Sequence, residues 1–164
     1  MGTCLTCQLV ARRDAGRAPL WDAILRTPTW DLVHAYDTSH EGWLVLVARR
    51  HVDTLAELSD DESAELGPLV RDVSVAVHRV TGCAKTYLAQ FAEHPEHSHV
   101  HLHLVARDVD LPLDQRGPRV FDLIGASAAP AGLVTEARRN ELAAELRSAL
   151  ADLGRVTLSD PAGG

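Results

Sequence analysis

Four histidines occupy alternate positions in the run His97-Ser98-His99-Val100-His101-Leu102-His103. From Val100 onward the residues between them are apolar. Alternation of this kind is the period of a β-strand, whose successive side chains point to opposite faces. Val100, Leu102 and Leu104 should therefore pack inward, and the imidazoles should share the other face. Imidazole is the side chain whose charge changes near neutral pH, so the row suits nucleophilic, acid–base or metal chemistry. Neighbours on one face stand roughly 6.6 Å apart, from a rise of ~3.3 Å per residue. Two of them can lean onto one ion, but three or four in a straight row cannot share one tetrahedral ion. The roles along the row are therefore divided. A His-x-His metal site of an oxygenase or hydrolase stays open, with Glu96 and His97 as the nearest further ligands.

The chain of 164 residues, 46% hydrophobic and 24% charged, fits one domain that buries a core without disulfide staples. That domain is expected over residues 1–158, with 159–164 as a frayed tail. A formal charge of -7 argues against a nucleic-acid partner. It leaves a phosphate-bearing small molecule open, because local groups decide that. No apolar run approaches the ~20 residues of a membrane span. No apolar signal segment opens the chain, so a cytoplasmic protein is expected. The cysteines number three, an odd count that does not suggest a disulfide framework. Cys83 reads as a small buried apolar residue.

The elements that must position the row follow from pattern and punctuation. Short strands are expected at Ala23–Arg26 and Trp30–Tyr36, after a loop-like stretch over residues 12–19. A turn at Asp37–Gly42 leads into the strongest apolar strand, Trp43–Ala48, which ends at Arg49-Arg50-His51. Ser59 followed by Glu62 is a capping box. It predicts a helix to about Val80, with Leu66, Leu69, Val70, Val73 and Val77 on one face and Gly82 as its stop. Lys85–Phe91 is the next strand, residues 92–96 turn the chain, and the histidine strand ends near Arg107. Prolines at 112, 118 and 130 mark Asp108–Val134 as ordered loop, before a last helix from about Thr135 to Leu153. The sum is an α+β fold, a small antiparallel sheet with one long helix packed on it.

His99-Val100-His101-Leu102-His103-Leu104-Val105 resembles the signature of the histidine-triad nucleotide hydrolases and transferases. The order around it is also similar: a Cys-x-x-Cys start, a strand ending in two basic residues and His51, a capped helix, a strand, then the triad. The likeness runs over Cys4–Arg107. It implies a half-barrel sheet, a homodimer, and a small-molecule nucleotide as ligand. By position His101 is the nucleophile, attacking an α-phosphorus to form a transient nucleotidyl-histidine. A neutral imidazole suits that task, because it brings no negative charge to an anionic centre. One nitrogen must then be a lone pair and the other a donor, for which a backbone carbonyl is the expected acceptor. His103 can donate to a phosphate oxygen or protonate the leaving group.

Cys4 and Cys7 have a spacing found in zinc sites and in redox pairs, and no thioredoxin-like pattern surrounds them. The resemblance implies a structural zinc held by Cys4, Cys7, His51 and His99. The alternative for His51 is phosphate contact together with Arg49 or Arg50. The resemblance also implies substrate contacts from Asp37 to the ribose, from Gln90 and His103 to phosphate, and from Ser98, although alternation turns Ser98 away from the histidine face. Gln90 is similar to the dinucleoside-polyphosphate hydrolase branch, whereas nucleoside phosphoramidases have asparagine there. Two features depart from the family. Glu93–Ser98 replaces a phosphate-wrapping turn, which leaves open a zinc-stabilised nucleotide-binding protein with little catalysis. Trp43 stands where relatives often have histidine, and it belongs either to a base pocket or to the core.

Overall fold

The computed structural model describes residues 4–125 and 132–157. The expected tail at 159–164 lies outside the described residues. Five strands form one antiparallel sheet in the order β1-β2-β3-β5-β4. They are β1 (Leu25–Arg26), β2 (Trp30–His34), β3 (Trp43–Ala48), β4 (Lys85–Gln90) and β5 (His101–Arg107). The histidine strand β5 is thus interior, between β3 and β4.

Register sorts the side chains to two faces. Leu32, Leu46 and Leu102 stand in one row across β2, β3 and β5, and Val33, Val45 and His103 in the next. The leucine face carries the larger core with Trp30, Leu44 and Leu104. Two helices cover it, α2 (Asp60–Thr81) and α3 (Glu136–Ala151), packed on each other. The expectation of one long helix is thereby extended. α3 adds Ala143, Leu146, Ala149 and Leu150 to this core, packed on α2 and on the turn at Leu20–Asp22.

α2 ends as its sequence dictates. Ser59 N–H donates to Glu62 Oε2 at 2.7 Å, and Glu62 N–H donates to Ser59 Oγ at 3.3 Å, so two otherwise unpaired donors are satisfied. Gly82 closes the helix at φ +66, the left-handed conformation that glycine takes without steric cost. Gly42, before β3, has φ +75, and a Cβ there would meet Ala106 Cβ at 3.0 Å. Only glycine fits that crossing.

The histidine face has a second, smaller core of Val10, Val33, Ala35, Trp43, Val45, Val47 and Val105. It is covered by an element the sequence reading omitted, α1 (Leu5–Asp14). Residues 12–14, expected as loop, are its last turn. Arg12 and Arg13 near its C-terminal end suit the helix dipole there, but its apolar stripe is too sparse to announce a helix. A short 3-10 turn at Leu20–Asp22 precedes β1, which keeps only the second half of the strand expected at 23–26. His97 also departs from expectation: it lies in a 3-10 turn, Pro95–His97, not on the strand. Proline at the first position, with its fixed φ, favours that turn over an extended chain.

Candidate functional site

The histidine row divides where β5 begins. His99 precedes the strand and is fully buried, and its Nε2 lies 2.7 Å from Ala48 O. A carbonyl only accepts, so Nε2 carries the proton and Nδ1 is left as a lone pair. That Nδ1 stands 3.7 Å from Cys4 Sγ, 3.5 Å from Cys7 Sγ and 3.3 Å from His51 Nδ1. Cys7 Sγ lies 3.3 Å from His51 Nδ1. The four candidate ligand atoms all fall within 4.8 Å of one another. A tetrahedral zinc with ordinary Zn–S and Zn–N lengths sets its ligand atoms about 3.3–3.8 Å apart. The distances given match those edges.

The surroundings fit as well. His51 Nε2 lies 3.6 Å from Asp53 Oδ1, so each ring has an oxygen on its far side, the arrangement that orients metal-binding imidazoles. Two thiolates and two imidazoles would fill all four positions of a zinc ion and leave none open, the pattern of a structural site. Burial first, then the hydrogen bond from Cys4, pushes the Cys7 thiol up to about 11. The reading of His51 as a phosphate contact loses its partners. Arg49 donates to Thr27 O and to Asp14, and Arg50 to Glu57 O and Glu62.

His101 stands outside the four-ligand cluster. Its Nδ1 lies 2.8 Å from His99 O and must donate to it, so Nε2 holds the lone pair. His101 and His103 have ring centroids 5.1 Å apart at 78°. Both border a cavity of about 310 Å³ on the histidine face of the sheet. Its floor is apolar, with Val33, Ala35, Val45 and Val47. α1 supplies one wall through Thr6, Leu9 and Arg13. Asp37, Glu93, His94 and His97 also border it.

Arg13 is the lysine or arginine found on that wall, and its charge is already committed. It donates to Asp22 at 2.7 Å and reaches Asp31 at 3.4 Å, all three side chains being buried. Arg26 donates to the second oxygen of Asp31 at 2.9 Å. The network ties α1 to β2 and holds the wall in place.

Not every expected contact is brought together. Asp37, His101 and His103 share the cavity. Gln90 pairs with Leu102, which puts it on the leucine face of an edge strand, away from the cavity. Ser98 is exposed and donates to Asp53 Oδ1 at 3.0 Å. His97, a further ligand candidate from sequence, borders the cavity: its Nδ1 shares a hydrogen bond with Thr6 Oγ1 at 2.8 Å, and burial lowers its pKa. Thr6, Leu9, Arg13 and Trp21 were missed, because their helix and turn were missed.

No family sequence model matches the chain, and no curated protein matches it. Solved structures do. A zinc-bound histidine triad family protein from Mycobacterium smegmatis superposes with a TM-score of 0.64 at 20% identity, over 92% of this chain and 95% of that one. The fold is that of the histidine-triad proteins. A histidine triad protein from Bradyrhizobium japonicum matches with a TM-score of 0.64 at 21% identity, over 78% and 89% of the two chains. A hypothetical histidine triad nucleotide-binding protein from Sulfolobus tokodaii matches at 0.66 and 14%, over 93% and 100%. At these identities the histidine-triad likeness is one of fold, and the case for chemistry rests on the residues. Among the described residues no helix is long and apolar enough to cross a membrane.

Proposed function

We propose that this protein is a nucleotide hydrolase or transferase that acts at the α-phosphorus of dinucleoside polyphosphates or related nucleoside phosphates. The observation that carries the reading is the hydrogen bond from His101 Nδ1 to His99 O. It spends the ring's proton on the backbone and leaves Nε2 as a neutral nucleophile beside the cavity. The apolar floor suits a base and ribose, with Asp37 as the acceptor for ribose hydroxyls. His103 stands next to His101 to stabilise the anionic phosphoryl oxygens. The Cys4, Cys7, His51 and His99 set would hold a structural zinc, whose part is to fix the start of α1 against β5 and so hold one wall of the cavity. Gln90 and Ser98 take no part on the positions described above. A small-molecule nucleotide is the expected partner, in a cytoplasmic homodimer.

A second reading, a zinc-stabilised nucleotide-binding protein with little catalysis, is favoured by one feature. The wall offers Arg13 already paired, beside the carboxylates Asp37 and Glu93. Incubating the protein with dinucleoside polyphosphates and nucleoside phosphoramidates, then quenching with acid, separates the two. A nucleotidyl adduct mapped to His101 by mass spectrometry is the expected result. Nucleotide binding with no adduct and no product release decides for the second reading.

A further inference from the structure

We infer that Trp43 is a positioning residue that locks His103 as its Nε2–H tautomer, and that the site therefore serves leaving groups that depart as anions. The second half rests on the nucleotidyl-transfer reading above; the first does not. Trp43 is fully buried on β3, and its Nε1–H lies 3.0 Å from His103 Nδ1. An indole N–H can only donate. His103 Nδ1 must therefore be the acceptor, and the proton of the neutral ring must sit on Nε2. Three edge-on ring contacts hold the arrangement, Trp43 to His103 at 5.9 Å and Phe121 to Trp43 at 5.2 Å and to His103 at 5.4 Å.

The lock sets what His103 can do. A second proton would have to go on Nδ1, where it would face the indole N–H, donor against donor. Burial and the neighbouring His101 oppose that charge as well, and hold the pKa of His103 down at about 4. The remaining Nε2 proton can be shared but not surrendered, since losing it would leave an imidazolate. His103 is thus a fixed hydrogen-bond donor to a phosphoryl oxygen, not a source of protons.

This decides which bond can break. In the first step the His101 Nε2 lone pair forms a P–N bond, while the leaving group departs with the electron pair of its own bond to phosphorus. Phosphate or polyphosphate leaves as a stable oxyanion and needs no proton. An amine leaving a phosphoramidate would depart as an amide ion unless protonated at that moment. In the second step water attacks phosphorus, the P–N pair returns to His101, and the water proton passes to solvent. The inference is therefore phosphoanhydride substrates over phosphoramidates.

Long-range ¹H–¹⁵N spectra of the full chain at neutral pH test the tautomer without any substitution. The expected result is a pyridine-like Nδ1 and a proton-bearing Nε2 for His103; a proton-bearing Nδ1 overturns the lock. Kinetics with a dinucleoside polyphosphate and a nucleoside phosphoramidate test the consequence. The anhydride should be preferred by about 100-fold, the lower range of what general acid catalysis contributes. Trp43→His, which supplies a ring able to pass protons to His103, should narrow that preference about tenfold or more. Trp43→Phe keeps the aromatic packing but removes the donor, and should leave His103 as a mixture of tautomers. Equal turnover of both substrates by the wild type overturns the substrate inference. Turnover of neither, with Nδ1 still unprotonated, overturns the functional reading and upholds the lock.

Discussion

His99 and His101 are joined by one hydrogen bond that links the Cys4, Cys7, His51 and His99 cluster to the cavity: the carbonyl of His99 accepts the Nδ1 proton of His101 at 2.8 Å. The His99 ring turns toward Cys4, Cys7 and His51, and its backbone aims the next imidazole of the row. Whatever holds His99 in place also holds the carbonyl that His101 Nδ1 faces. Cys4→Ser should thus do more than weaken metal binding. We expect about one zinc per chain in the wild type and, for loss of a direct ligand, a fall in metal affinity larger than the about 10-fold that disturbing an outer partner already costs. The rate of adduct formation at His101 should fall by a similar factor. Metal analysis beside single-turnover kinetics checks both; full adduct formation in metal-depleted protein would break the link.

The buried Arg13 makes a sharper prediction for stability. Its side chain is 1% exposed between Asp22 at 2% and Asp31 at 0%. Without Arg13, Asp22 keeps Arg12 and Asp31 keeps Arg26, so the loss is that of charge-assisted hydrogen bonds rather than of a stripped ion, about 1.5–3 kcal/mol. Arg13→Met should lower stability by that amount in urea titrations and loosen α1. Arg13→Lys should recover only part of it, since an ammonium cannot span both carboxylates as the planar fork does. A loss under about 1 kcal/mol for Arg13→Met would show that the network is not what holds α1.

The sequence made β5, β3 and α2 legible because each carries a strong local signal. Alternation marks the histidine strand, an unbroken apolar run marks Trp43–Ala48, and the Ser59–Glu62 box with Gly82 brackets α2. The grouping of Cys4, Cys7, His51 and His99 was legible only together with the family resemblance. α1 was not legible. It is short and polar, and what holds it are contacts distant in sequence: Thr6 to His97, Arg13 to Asp31, and Cys7 to His51 and His99. The cavity wall went unseen with it. The face that Gln90 takes was not legible for a different reason: the parity of β4 depends on its pairing with β5, and register is set across strands, not along one.

Acid should unfold this protein earlier than its carboxylates alone would. His34 is fully buried, donates from Nδ1 to Ala35 O at 2.7 Å, and has Arg139, Glu41 and His40 as its charged or titratable neighbours. Burial is the main reason its pKa sits at about 4, and the same holds for His103. An unfolded histidine titrates near ~6.5. Between those values the unfolded chain binds more protons than the folded one, so stability rises with pH across the window. It is complete above about pH 6.5 and is lost as the pH falls toward 4. His34→Gln keeps a donor and removes the titration. Its Tm should fall less steeply than that of the wild type over this range, while metal release, common to both, cancels in the difference. Parallel Tm profiles would show that His34 is charged in the folded state.

The proposed nucleophile, His101, gives the most direct kinetic test. Asparagine at position 101 can still donate to the His99 carbonyl from its amide, so His101→Asn preserves the local backbone while removing the attacking nitrogen. Nucleotide affinity should stay within about threefold of wild type, and turnover should fall by about 10⁴-fold or more, as when other covalent nucleophiles are removed. His103→Asn touches a donor rather than the nucleophile. Its loss should be smaller, about 10²–10³-fold, the value of one preorganised donor at a developing anion. The order of the two effects carries the argument. If His103→Asn abolishes adduct formation while His101→Asn leaves it intact, then the attacking nitrogen is misassigned and the Nδ1–carbonyl bond has another purpose.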